Sequence, residues 1–227
     1  MADAHSVLAH HFDDLDQQRD SAELGMWLFL ATEVLFFGGL FLAYSLYRIG
    51  TTGGEPNEKA FADASASLNL WLGTINTVVL LTSSLTMALA VHAAQASNRK
   101  NLVRLLCLTM VLGTAFLVIK GFEWHQDYDE HLIPFFNSHF ELKNGTSPPA
   151  GKLFFNLYFL MTGLHGLHMI IGLAILSWYS LKARRGLLEG VRSTPVHLLG
   201  LYWHFVDIVW VFLFPFLYLI GASEHGP

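Results

Sequence analysis

The chain has 227 residues, of which 53% are hydrophobic, 14% aromatic and only 14% charged, with a formal net charge of -5. So little charge, gathered around long uncharged tracts, excludes an ordinary soluble domain. The acidic balance excludes nucleic acid as a partner, because a phosphate backbone demands a basic face. The single cysteine, Cys107, excludes an internal disulfide framework.

The first residues, MADAHSVLAHHFDDLDQQRD, are polar and acidic and contain no cleavable signal pattern, so residues 1–23 are expected to be a polar tail. His5, His10 and His11 within it are read as solvated. From Leu24 to Tyr47 the only charge is Glu33, from Ala64 to Asn98 there is none, and from Leu153 to Leu181 there is none. From Ser193 to Ser223 the only charge is Asp207. Runs of about 18 or more apolar residues span a bilayer core of roughly 30 Å. The tracts predict an all-α, polytopic membrane bundle of five transmembrane helices, over about 24–48, 66–94, 101–125, 152–181 and 195–221. Residues 24–221 then form one bundle and 222–227 a short tail.

The third span has the shortest uncharged run, 15 residues between Arg104 and Lys120. It crosses if those two side chains reach opposite interfaces and the helix continues through Glu123 and Trp124. With the N-terminus inside, the inner segments hold Arg19, Arg99, Lys100, Arg104, Lys182, Arg184, Arg185 and Arg192. The outer ones hold Arg48, Lys59, Lys120, Lys143 and Lys152. This excess predicts N-inside, C-outside. The stretch from about 126 to 151, with three prolines, is expected to be an irregular outer loop. Its Asn144-Gly145-Thr146 sequon is read as accidental in a bacterial chain.

An ionisable group inside hydrocarbon requires a partner or a purpose. Glu33 is either a proton-accepting or headgroup-facing carboxylate, or a neutral carboxyl bonded to a neighbouring helix. Lys120 and Glu123, three apart, are expected to pair at the interface beside the anchor Trp124. On the last span, Trp203, Asp207 and Trp210 share a face, and His204 lies within hydrogen-bonding reach of Asp207. His165 and His168 sit one turn apart on the fourth span. They cannot bracket one haem, and with His92, His125 and His204 they are too scattered for three or four converging metal ligands. Glycines and other small residues (Gly73, Thr77, Ser84 and Ala88; Gly163, Gly166 and Gly172; Gly38 and Gly39) form stripes that suit close helix packing. Pro215 is expected to kink the last helix.

Four motifs occur in order: WLFLATEVLFFGGLF, VIKGFEWHQ, TGLHGLHMIIG and YWHFVDIVWVFLF. Together, over about residues 24–220, they resemble subunit III of the haem–copper terminal oxidases. The resemblance implies a subunit without haem or copper of its own, packed beside a catalytic subunit I that holds both. It implies bound phospholipid, support of proton delivery and lasting turnover. Carried over by position, Glu33 and Glu123 match the family's proton- or lipid-related polar positions. His165 and His168, with Trp203, His204 and Asp207, match a network that ties helices together. Five spans instead of seven point to a bacterial inner-membrane form, in which a neighbouring subunit could supply the missing wall. The other readings weighed are an accessory membrane subunit of a nitric-oxide reductase system and an autonomous membrane cytochrome or transporter.

Overall fold

Asp14 starts the first helix nine residues earlier than hydropathy predicts. Its carboxylate accepts the Gln17 N–H at 2.7 Å, and the Gln17 side chain returns to accept the Asp13 N–H at 2.7 Å. This reciprocal cap satisfies donors that a helix start leaves open. The computed structural model describes residues 12–132, 148–188 and 193–221. Helix α1 (Leu15–Ile49) therefore absorbs the later part of the expected polar tail.

Gly53 and Gly54, at φ 67° and 88°, then turn a two-residue hairpin. Its strands β1 (Thr51–Thr52) and β2 (Glu55–Pro56) pair antiparallel. Only glycine adopts two successive positive φ values without strain, and this is the hairpin turn that matches strand twist. The hairpin leads into a short helix α2 (Asn57–Ala66). Neither the hairpin nor α2 was expected. Four long helices follow: α3 (Leu70–Gln95), α4 (Arg99–Asp129), α5 (Pro148–Arg184) and α6 (Thr194–Phe214). Asn69 and Asn98 cap α3 and α4 by accepting the N–H of Leu72 and Asn101. Pro215 opens a π-helical turn, Pro215–Leu219, that continues α6. A proline that removes one intrahelical donor is absorbed by such a local rewinding.

Among the described residues five helices are long and apolar enough to cross a membrane, and the chain is a multi-pass helical membrane bundle. Helix α6 is its centre. In its most apolar stretch 56% of residues are buried, against 11% in α1, which lies at the edge. Around α6, α3 packs on α4 and α6, α5 packs on α4 and α6, and α1 leans on α6. Trp203 and Trp210 of α6 are fully enclosed. Helix α2 closes one end, resting on α5 and on the π-helical turn. There Ser65 donates to the Leu217 carbonyl at 2.7 Å and accepts the Gly221 N–H at 3.1 Å.

The small-residue stripes divide on inspection. Gly73 faces Phe214 and Tyr218, and Gly172 faces Tyr202 and Trp203; Gly113, outside the expected stripes, faces Trp203 and Leu173. Gly38, Gly39 and Gly166 have open space where a side chain would stand, so they are not contact glycines. The expected loop begins later than 126, because α4 runs on to Asp129. It also ends earlier, because α5 begins at Pro148, and residues 133–147, including the Asn144 sequon, lie outside the described residues, as do His5, His10 and His11.

Candidate functional site

The polar side chains of the spans gather into three groups. The first joins α1 to α5. His168 Nε2 lies 3.2 Å from Glu33 Oε2, and its Nδ1 lies 2.8 Å from the Leu164 carbonyl. A carbonyl only accepts, so Nδ1 carries a proton. One further proton must therefore lie between Nε2 and the carboxyl, held by one or the other. Phe37 meets the imidazole edge-on, and the Tyr202 hydroxyl donates to the His168 carbonyl at 2.9 Å. Both side chains keep some exposure, 14% for His168 and 19% for Glu33, so the pair is reachable from the bundle's flank.

The second group is buried between α4, α5 and the π-helical turn. Lys120 Nζ donates to Glu123 Oε2 at 3.2 Å, to the Tyr158 hydroxyl at 2.9 Å and to the Tyr218 hydroxyl at 2.6 Å. Both hydroxyls then donate to Glu123 Oε1, Tyr158 at 3.1 Å and Tyr218 over a short bond. All three ammonium hydrogens and both carboxylate oxygens are engaged. The ammonium also lies 4.7–5.3 Å from the ring centroids of Tyr158, Trp210 and Tyr218. Lys120 and Glu123 are 5% and 1% exposed. The expected pair forms, and the protein encloses it. Aromatic hydroxyls replace water as their solvent, which makes burial of the charges tolerable. Asp127, one turn further on α4, is also buried, and among the described residues no hydrogen bond reaches its Oδ2.

The third group joins α3 to α6. Trp203 Nε1 donates to Ser83 Oγ at 3.1 Å, and Trp210 Nε1 donates to Thr77 Oγ1 at 3.1 Å. His204 Nδ1 bonds Ser84 Oγ at 2.7 Å. The expected His204–Asp207 pair does not form. Ser84 takes the histidine, and both carboxyl oxygens of the buried Asp207 lack a hydrogen bond. Spacing along one helix puts two residues on a face, but a hydroxyl on the facing helix has the better approach.

His165 departs from its neighbour. It is buried with neither ring nitrogen hydrogen-bonded, and it packs between Phe116 and Trp210. It fills space and does not tie helices by hydrogen bonds. Among the described residues no three His, Cys, Asp or Glu side chains gather in metal-binding geometry. Sequence reading missed Tyr158, Tyr218 and Ser84 as partners. Tyrosine and serine are unremarkable in an apolar span until a charge on another helix faces them.

Comparison with known proteins agrees with this architecture. The family model described as cytochrome c oxidase subunit III matches residues 8–222. Cytochrome c oxidase subunit 3 of Alkalihalophilus pseudofirmus is 33% identical over 88% of this chain and 87% of its own length. Cytochrome bo(3) ubiquinol oxidase subunit 3 of Pseudomonas aeruginosa is 30% identical, over 98% of this chain and 95% of its own. A haem–copper oxidase subunit I+III of Aeropyrum pernix is 31% identical over 89% of this chain and 23% of its own length. With the family model spanning the whole bundle and these relatives aligned along most of the chain, the chain belongs to the cytochrome c oxidase subunit III family.

Proposed function

We propose that this chain is the non-catalytic third subunit of a respiratory haem–copper oxidase in a bacterial inner membrane, with its N-terminus inside and its C-terminus outside. It stabilises a catalytic subunit that holds the haem and copper, binds phospholipid along its flank and supports proton uptake during oxygen reduction. The observation that carries the reading is the full-length kinship to third subunits of both cytochrome c and ubiquinol oxidases. The Aeropyrum pernix relative, a single subunit I+III chain, supports a partner carrying the catalytic machinery.

The internal chemistry agrees with a supporting role. The Lys120–Glu123 charges are engaged with each other and with tyrosines of the same chain. The partly open Glu33–His168 pair is a polar point on an otherwise apolar flank, suited to a lipid headgroup or a held proton. Tagging this chain and purifying it in mild detergent tests the proposal. Haem absorption and a haem-bearing subunit should come with it, and native mass spectrometry should show retained phospholipid. Deleting the chain should leave an oxidase that starts turning over and then loses activity. A purified chain free of haem and of other subunits would overturn the reading.

A further inference from the structure

His204 lies midway along α6 on the strip between α1 and α3, only partly enclosed. Its Nδ1 is held by Ser84, whereas no hydrogen bond reaches Nε2 among the described residues. Behind it the Asp207 carboxyl is buried at 3% exposure with neither oxygen bonded, and Ser84 is the polar group beside both. Ser84 has one proton to donate. Were Ser84 to turn its proton to an ionised Asp207, it would have to accept from His204 Nδ1–H, which leaves Nε2 needing a donor. With Asp207 protonated the chain runs the other way, and Nε2–H needs an acceptor. In both cases the series ends at Nε2 and is one partner short. An acyl chain supplies neither a donor nor an acceptor.

We propose that the strip around His204 is the face on which a transmembrane helix of the catalytic subunit docks, presenting a polar side chain to Nε2. This rests on the subunit reading above. The strip suits such a helix. Exposed Leu81, Leu85 and Ile208 supply apolar contact, and exposed Ala88 with Ser84 permits close backbone approach. The outer face of α1 makes no such demand. Its one ionisable group in the span, Glu33, is already matched by His168, and lipid can cover the rest.

Site-specific photo-cross-linking in the intact oxidase tests this. Benzoylphenylalanine at Ile208 or Leu85 should give an adduct with the haem-bearing subunit, whereas the same probe at Leu35 of α1 or Trp178 of α5 should not. Adducts to that subunit from Leu35 or Trp178 alone would overturn the assignment. So would strip adducts only to lipid or to a second copy of this chain. A second measurement follows retention of the chain through ion exchange in detergent. His204→Gln keeps a nitrogen at the Nε2 position and should be retained. His204→Asn keeps one only at the Nδ1 position and, like His204→Phe, should lose about tenfold in retention, the loss of one buried hydrogen bond. Rescue by Asn and not by Gln would mean that His204 serves only its internal bond to Ser84, and equal retention of all three would also overturn the proposal. A wild-type chain that brings no haem would instead sink the subunit reading on which this rests.

Discussion

Lys120 is held by three acceptors, so removing it has a calculable penalty. Lys120→Met leaves the Glu123 carboxylate enclosed with two tyrosine donors and no counter-charge. Breaking a buried pair this way costs about 3–5 kcal/mol. Thermal unfolding in detergent should show a large drop, most of which Lys120→Met with Glu123→Gln should recover, since the double variant strands no charge. Ser84→Ala should cost about 1–3 kcal/mol by stranding His204 Nδ1. A Ser84→Ala variant as heat-stable as wild type would count against that bond. Glu33→Gln retains a group that can meet His168 Nε2, and the variant should assemble at wild-type levels, checked by its yield in membranes. At this scale the sequence disclosed which residues are unusual but not whom they meet. Glu33, Glu123 and His168 stand out by charge or polarity in oil. Their partners depend on helix rotation, which a single chain reading cannot set. The Lys120–Glu123 pair was legible from its spacing, but its enclosure was not, because the tyrosines that stand in for water come from other helices.

The elements were legible where their signal was long. Five apolar runs announced five spans, and each helix covers its expected core. The ends were less legible. Hydropathy registers the apolar run and not the Asp14–Gln17 cap ahead of it, and a Gly53-Gly54 turn between two-residue strands is too brief for a periodic pattern. Glycine stripes mislead in another way, because spacing on a helix does not say which neighbour arrives. A side chain at position 113 would stand 2.8 Å from Trp203, with Leu173 at 3.2 Å. Gly113→Ala should therefore cost about 1–3 kcal/mol through overpacking. Gly166→Ala meets nothing and should be neutral or stabilising by up to about 1 kcal/mol from helix propensity. Equal melting temperatures for the two variants would contradict this packing.

Across the whole molecule, the bundle is organised around α6, with α1 at its edge and α2 as a lid over one end. The count of spans followed from composition. Their arrangement did not, because in lipid all apolar faces are alike and small contacts decide which helices meet. The lid is its own test. A side chain at position 221 would collide with the backbone of Ala66, which cannot swing aside as a flexible side chain would. Gly221→Ala should lift α2 and expose the 51–56 hairpin to protease, while the five spans remain inserted. Unchanged protection would argue that the lid is held elsewhere.

That lid also sets an order of events at the ribosome. Ser65 waits for a carbonyl 152 residues further along the chain. The closure must therefore follow synthesis of the final helix, however early α2 itself is made. A nascent or truncated polypeptide shows an unsealed end, and only a finished one hides it. A chain cut short before α6 should therefore leave α2 without the carbonyl that holds it.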